Sequence, residues 1–489
     1  MRPHRVLRLL GLLLRPFAGI LLLPAGIDML YGATYAAAGF AAAAGVAFLL
    51  GTLLRRFSGE IEDVGRVEAL AVVSAAWMVA AVLGGVPYLL QGFGPIDSLF
   101  EAMSGFTTTG STIFSTADFD RISRGLMFWR ALTQWLGGLG IIVLFVAVLP
   151  ALAVAGRQMF FAEAPGPEEE ALTPRIRHTA VALWKLYIVL TLAEVALLRA
   201  FGGMDYFGAV CHAFTTLAAG GFSPHPLSLQ GHTAAAQWIV IPFMFLAGAS
   251  FTLQYRSLRR PSLLFRDTEF RVYACVTILA GLLMALLLAG TPGHGFGESL
   301  RHGLFQASSI LTTTGYASED FNQWQPAPLM VLCALMFLGG CAGSAGGGPK
   351  VIRLIILGKI LARELVTSLH PRVVRMVRLG GRPIPPETLR QIVGFLVAYF
   401  TVFGVVTILA GILENDFKVG ITGAIATLGN IGPGLGRLGP METFGTLGPV
   451  TKLLFTLAMW IGRLEVMTVF ILFQPGALRI LLASPRPRR

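Results

Sequence analysis

Apolar stretches dominate this chain, and they come in two lengths. The longer ones run for roughly 20 residues, enough to carry a helix across about 30 Å of hydrocarbon. Two of them lead the chain, one beginning within MRPHRVLRLLGLLLRPF and the second near 33–54. The first has the basic start and apolar core of a signal peptide. Arg15-Pro16 interrupts the apolar run and another span follows, so it reads as a retained first helix. One arrangement then recurs four times: an apolar span, a short amphipathic stretch ending in Thr or Gly, and a second apolar span. The paired spans lie near 68–90 and 126–150, 179–200 and 235–255, 270–290 and 329–362, and 391–412 and 449–474. Between them stand EAMSGFTTTGS, CHAFTTLAAGGFS, FQASSILTTTGY and ITGAIATLGNIGPG, with Gly110, Gly220, Gly315 and Gly432 as register marks.

Each intervening stretch is too short to span and is bracketed by two that do. That is the pattern of a re-entrant loop, which survives at membrane depth only where protein buries it or water fills the space it lines. The predicted fold is therefore an all-α polytopic membrane protein. Four pseudo-repeated helix–re-entrant loop–helix units surround one pore, with two extra N-terminal transmembrane helices, about ten spans in all. The divisions are a two-helix extension over 1–62 and pore units over 63–152, 153–265, 266–365 and 366–489.

Charge sets the expected orientation. Segments 256–271 and 363–390 and the tail SPRPRR are strongly basic, which places them and both termini in the cytoplasm. The opposite loops carry Asp97, Asp118, Asp120, Asp205, Glu319, Asp320, Glu414 and Asp416, either as a cation-collecting mouth or as ordinary solvated loop acids.

Composition agrees with a membrane protein. Of 489 residues, 55% are hydrophobic and 13% charged, and the mean hydropathy is +0.71. A soluble domain could not bury that much apolar surface. The net charge of +12 would suit nucleic-acid binding, but its placement between apolar runs argues against any nucleic-acid partner. The four cysteines form no CxxC pair and suggest neither a disulfide framework nor a thiolate metal site. The eight histidines show no HxxxH pattern, and His212 reads as a packing residue. No phosphate-binding or dinucleotide motif is present, so no cofactor is expected on this chain. A polytopic membrane enzyme would need convergent polar groups at membrane depth, and Glu194, Arg130 and Arg463 form no recognisable catalytic set.

The repeated loops suit K⁺. A K⁺ ion enters a pore only where rings of backbone carbonyls replace its hydration shell. Glycine lets successive carbonyls aim inward without steric cost, and threonine adds a hydroxyl on a stiff side chain. The helix preceding each loop would point its partially negative C-terminus at the ion. Within the second span of unit three, GGCAGSAGGGPK (339–350) cannot hold a continuous helix and reads as a flexible interior loop. Lys350 at its end either faces the interior or snorkels outward. Arg463, deep in the last span, must face a polar interior or an acid such as Glu465.

At FTTTGST, WLGGLGIIVL (135–144), TTLAAGGFS, GGCAGSAGGGPKVIR (339–353), NIGPGLG (430–436) and WIGRLEV (460–466), the sequence resembles the ion-conducting subunit of the Trk/Ktr/HKT superfamily of potassium transporters, nearest the bacterial TrkH type. The likeness covers essentially the whole chain. It implies a selectivity filter of Thr108-Thr109-Gly110, Ala218-Ala219-Gly220, Thr313-Thr314-Gly315 and Asn430-Ile431-Gly432, with units two and four departing from the Thr-rich pattern. It implies a gate beneath that filter, made by the glycine loop (Gly346, Gly347, Gly348, Lys350) and by Arg463. It further implies K⁺ uptake across the bacterial inner membrane, a homodimer, and a cytosolic ring of TrkA-like, nucleotide-binding regulatory subunits docked on the basic loops. The alternatives are a less selective Na⁺/K⁺ permease or a symporter coupled to H⁺ or Na⁺.

Overall fold

The computed structural model describes residues 3–56, 66–140, 176–290 and 295–475. The expected boundaries at 62/63 and 152/153, the first inner span beyond Gly140 and the tail SPRPRR lie outside these residues. The chain is all-α, with 19 α-helices among the described residues and one two-residue hairpin, Arg378–Leu379 against Arg382–Pro383.

Six helices are long and apolar enough to cross a membrane unbroken. Two are the N-terminal pair, Pro3–Leu30 and Thr34–Leu54. The other four are the outer helices of the four units: Arg66–Leu90, Ile176–Ala200, Thr268–Leu288 and Pro386–Glu414. Despite Pro16 and Pro24, the first helix is continuous. Its Phe17 ring packs against Phe106 and Trp129 of unit one at centroid distances of 5.9 and 6.2 Å.

After each outer helix comes a short helix that stops inside the protein: Pro95–Phe106, Tyr206–Leu217, Phe296–Leu311 and Phe417–Leu428. Each start is specified locally. Pro95 occupies the first turn of one, and the Asp205 and Asp416 carboxylates accept from first-turn amides of two others. Glu298 reaches back to the Gly295 amide at 3.2 Å in the fourth. Most of the acids expected at an open mouth are spent this way. Asp118 accepts from Ser115 and Arg121, Glu319 from the Trp324 indole at 2.7 Å, Glu414 from the Gly448 amide at 2.8 Å, and Asp97 pairs with Lys452 at 2.6 Å. The ordinary-loop-acid reading fits them better than a free anionic funnel.

The inner spans differ from expectation. Sequence pattern gave three of them as continuous and only the third as broken, but the second and fourth are sharply bent as well. The first inner helix, Arg124–Gly138, ends at Gly137-Gly138. The second turns through 99° between Ala247 and Phe251, and the fourth through 104° between Arg463 and Val466. The third is split into Pro326–Met336 and Val351–Leu369 by the glycine loop. The cause is close approach: a Cβ at Gly137 would strike the Phe106 carbonyl, and one at Gly462 the Leu428 carbonyl. The first and fourth inner helices stop or bend where backbone meets backbone.

The N-terminal extension is tied to unit one by a buried carboxylate. Asp28 accepts from the Gly125 amide at 2.6 Å and from Ser123 Oγ at 3.0 Å, so it caps the first inner helix from another segment of chain. Asp28→Ala would orphan a buried amide, a loss of roughly 1–3 kcal/mol. We expect a lower thermal midpoint in detergent for Asp28→Ala and recovery of most of the loss in Asp28→Asn, read by fluorescence-detected melting.

Candidate functional site

Four loops leave the C-termini of the four short helices and meet one another. In each, a non-glycine residue with positive φ is followed two positions later by a glycine with positive φ. The pairs are Thr108 (52°) and Gly110 (86°), Ala219 (52°) and Gly221 (77°), Thr313 (62°) and Gly315 (80°), and Asn430 (52°) and Gly432 (105°). Left-handed backbone at a β-branched residue such as Thr108 or Thr313 stores about 1–3 kcal/mol and persists only where the surroundings impose it. Its recurrence four times identifies a shared, designed conformation.

This conformation corrects one register mark. Gly110, Gly315 and Gly432 each lie four residues beyond the end of a short helix, and in unit two that place belongs to Gly221, not Gly220. The residues expected as Ala218-Ala219-Gly220 therefore sit one step early. Ala219-Gly220-Gly221 shares the positive-φ pattern and the spacing from the helix end of the other three triplets.

The loops close a ring. A Cβ at Gly110 would run into the Gly220 carbonyl of unit two, one at Gly221 into Thr314 of unit three, and one at Gly315 into Ile431 of unit four. A Cβ at Gly432 would lie 2.8 Å from the Thr109 carbonyl of unit one. Each glycine thus packs on the next unit's backbone, and the fourth returns to the first. Hydrogen bonds follow the same path. Ser111 Oγ donates to the Gly432 carbonyl at 2.7 Å, Asn430 Nδ2 to Thr109 Oγ1 at 2.9 Å, and Gln134 Nε2 to the Gly220 carbonyl at 2.7 Å.

Behind the ring, units one and three are alike. Thr107 and Thr109 share a hydroxyl–hydroxyl bond of 2.7 Å, and Thr312 and Thr314 one of 2.8 Å. Units two and four have Ala218 and Gly220, and Gly429 and Ile431, at those positions, so Gln134 and Asn430 supply the bracing there. Two buried oxygens, Thr108 Oγ1 and Asn430 Oδ1, have no hydrogen-bond partner among the described residues. Hard, uncommitted oxygens of this kind suit an unhydrated cation. An open cavity caps the ring on one side, walled by Gly110, Gly315, Gly432, Arg130, His225 and Glu442.

The glycine loop lies directly on the ring's other side. The Gly347 amide donates to Thr313 Oγ1 at 2.7 Å. A Cβ at Gly346 would sit 2.6 Å from the Thr312 carbonyl, and one at Gly347 2.8 Å from Asn430 Cβ. Gly348 takes φ 65°. The density of glycine has this cause: the loop is pressed against ring residues of two units. Elsewhere it is stitched to the second inner helix (Cys341 amide to Gly248 carbonyl, 2.8 Å) and to Glu269, which accepts from the amides of Ala342 at 2.8 Å and Ile352 at 3.1 Å. Lys350 faces inward, its ammonium donating to the Gly346 carbonyl, and does not snorkel.

Arg463 ends the upper half of the last inner span. Its guanidinium donates to the Ala345 carbonyl of the glycine loop at 2.8 Å and to the carbonyls of Gly137 and Gly138, the latter at 3.1 Å. Glu465, the acid considered for it, pairs instead with Arg353 through two bonds of 2.6 and 2.7 Å. Arg130 pairs with Glu101 at 2.9 Å, whereas Glu194 is fully buried in the outer helix of unit two with no arginine paired to it among the described residues. His212 packs as expected, bonded to the Gly208 carbonyl at 2.8 Å, but the fold also gathers His225 and His232 around it, with ring centroids 4.9–6.2 Å apart. Sequence spacing could not show that grouping, nor the roles of Glu101, Gln134 and Glu269.

Comparison with known proteins agrees with this architecture. The family described as TrkH, cation transport protein, matches residues 46–268 and 294–477. The Trk system potassium uptake protein TrkH of Salmonella typhimurium is 37% identical, with 96% of this chain and 98% of that protein aligned. TrkH of Vibrio parahaemolyticus is 35% identical over 97% of this chain and 99% of its own length. The crystal structure of the potassium transporter TrkH from Vibrio parahaemolyticus superposes with a TM-score of 0.87 at 33% identity, covering 98% of this chain and all of that one. The chain is an integral membrane protein of the TrkH family of cation transport proteins.

Proposed function

We propose that this chain takes up potassium across the bacterial inner membrane through the ring of four loops, which acts as a K⁺-selective filter. The observation that carries the proposal is the closure of the ring, with each positive-φ glycine packed on the next unit's carbonyl. Such a ring presents backbone oxygens from four sides to one axis, and four short helices direct their partially negative ends at it. The relatives compared above, potassium uptake proteins of Trk systems, supply the ion. The names describe transport and no chemical conversion, which points away from an enzyme. The filter residues are Thr108, Thr109 and Gly110, Ala219, Gly220 and Gly221, Thr313, Thr314 and Gly315, and Asn430, Ile431 and Gly432.

The glycine loop and Arg463 form the gate of this reading. The loop blocks the axis beneath the filter, and the Arg463 cation, held there by carbonyls, opposes K⁺. Basic segments 256–271 and 363–390 face the cytoplasm. There they offer a docking face for a cytosolic nucleotide-binding ring, which would carry the nucleotide that this chain does not. The chain works as a homodimer. A membrane potential contributes about 2.3 kcal/mol per charge per 100 mV, enough to draw K⁺ inward without a coupling ion.

Two measurements test the reading, both by Rb⁺ uptake into proteoliposomes under an imposed potential and no proton gradient. Gly110→Ser puts a side chain against the Gly220 carbonyl, and we expect the Rb⁺/Na⁺ flux ratio to fall by about tenfold, a change of 1.4 kcal/mol between the ions. An unaltered ratio would remove the filter assignment and favour a permease of low selectivity. Arg463→Ala frees the loop from its clamp, and we expect uptake without the regulatory ring to rise severalfold. Parental flux and voltage dependence in that variant would sink the gate.

A further inference from the structure

The four units place different chemistry at one equivalent position. Nine residues before each positive-φ glycine stand Glu101, His212, Gln306 and Gly423, each inside a short helix. The three side chains do the same work, holding the strand that leaves the filter. Glu101 accepts from Thr112 Oγ1 at 2.9 Å and from the Ile113 amide at 2.8 Å. With its side-chain amide turned so that oxygen and nitrogen each face a complementary group, Gln306 accepts from the Ser318 amide at 3.0 Å and donates to the Tyr316 carbonyl at 3.1 Å. His212 Nε2 lies 3.2 Å from Ser223 Oγ. In unit four, where the position is Gly423, the neighbouring Thr422 hydroxyl accepts from the Leu435 amide at 3.1 Å.

Of these four braces Glu101 alone is a carboxylate, and among the described residues only it is ion-paired with a cation. Arg130 donates through Nε to Glu101 at 2.9 Å, through one terminal nitrogen to Thr112 Oγ1 at 3.1 Å, and through the other to the Ser223 carbonyl at 3.0 Å. One guanidinium thereby joins the strands that leave the filters of units one and two. It is sandwiched between Phe114 and Phe222, 4.5 and 4.2 Å from their ring centres, and its side chain is 2% exposed. The same arginine forms part of the wall of the cavity above the filter glycines. A cation fixed there would repel an arriving K⁺ unless its charge is cancelled locally, because solvent has little access to screen it. Gln306 shows that a neutral amide can hold the strand. The charge on Glu101 therefore answers to Arg130 and not to the backbone.

We infer that the Glu101–Arg130 pair is a specificity-setting brace at the outer mouth. Arg130 fixes the spacing between filter strands one and two, and Glu101 cancels the arginine's field so that the mouth still admits cations. Both are positioning residues acting on the filter, and the inference rests on the pore reading above. The experiment measures Rb⁺ uptake in proteoliposomes as a function of Rb⁺ and of added impermeant salt for four chains: parent, Glu101→Gln, Arg130→Lys and the double variant Glu101→Gln/Arg130→Gln.

Glu101→Gln should raise the half-saturating Rb⁺ concentration by about fivefold with little change in maximal rate, and the shift should shrink as salt shortens the Debye length. Arg130→Lys keeps the charge and loses the planar fork. It should leave half-saturation near the parent's and lower the Rb⁺/Na⁺ ratio. The double variant should restore half-saturation to the parent's value, also with a lowered ratio. Should Glu101→Gln fail to assemble, the other two chains still carry the test. Parental half-saturation and salt dependence in Glu101→Gln would overturn the electrostatic half. Parental flux ratios in both Arg130→Lys and the double variant would overturn the brace. If Gly110→Ser shifts the ratio while these variants do not, the pore stands and this inference falls.

Discussion

Non-helical backbone at the depth of a hydrocarbon layer must find partners inside the protein, since each unpaired amide or carbonyl there costs several kcal/mol. Four loops of this chain break that depth, and closing them against one another governs the remaining structure. A loop can turn its carbonyls toward a shared axis only if its flank is covered by the next loop. Glycine is required where the covering atom is a carbonyl, as at Gly110, Gly221, Gly315 and Gly432. The same demand propagates outward. The inner helices must approach the ends of the short helices, so they too carry glycines at the contact (Gly137 and Gly462), and there they bend or stop.

Backbone closure is fourfold, but side-chain support is not. Units one and three brace their loops from within by paired threonine hydroxyls. Units two and four lack those hydroxyls and borrow Gln134 from unit one and Thr109 through Asn430. Unit one consequently supports both of its neighbours as well as itself. It also receives the N-terminal pair through Asp28, and it holds the buried Glu101–Arg130 pair. Leaving one member of such a pair alone costs roughly 3–5 kcal/mol, far more than any single surface contact. The pseudo-symmetric ring thus hangs on one asymmetric corner.

The parts legible in the sequence were those carried by period and composition. Outer spans, short helices and loops fell within a few residues of their expected places, because apolar length and Thr/Gly punctuation are local signals. The register of unit two was not legible: LAAGGF has two adjacent glycines and no threonine, so only the backbone angles separate Gly221 from Gly220. The bends of inner spans two and four were hidden because single glycines in apolar helices are common, and their effect depends on atoms supplied from elsewhere: the Thr312 and Tyr273 side chains at Gly248, the Leu428 carbonyl at Gly462. The loop acids were ambiguous for the opposite reason, since a helix cap and a vestibule charge look alike until their partners are seen. Glu101 escaped notice because its meaning lies in Arg130, 29 residues away, and in strands of two units.

The glycine loop is joined directly to the ring. Its Gly347 amide uses the hydroxyl of Thr313, the residue of unit three that carries the left-handed strain. Among the described residues the equivalent hydroxyl of Thr108 has no hydrogen-bond partner, so the loop engages the strained residue of unit three and not that of unit one. Withdrawing the loop would free Thr313 Oγ1 and make the two units alike. In the pore reading, displacing the barrier therefore also completes the pair of uncommitted hydroxyls facing the ion path. Opening and filter chemistry are then two aspects of one hydrogen bond.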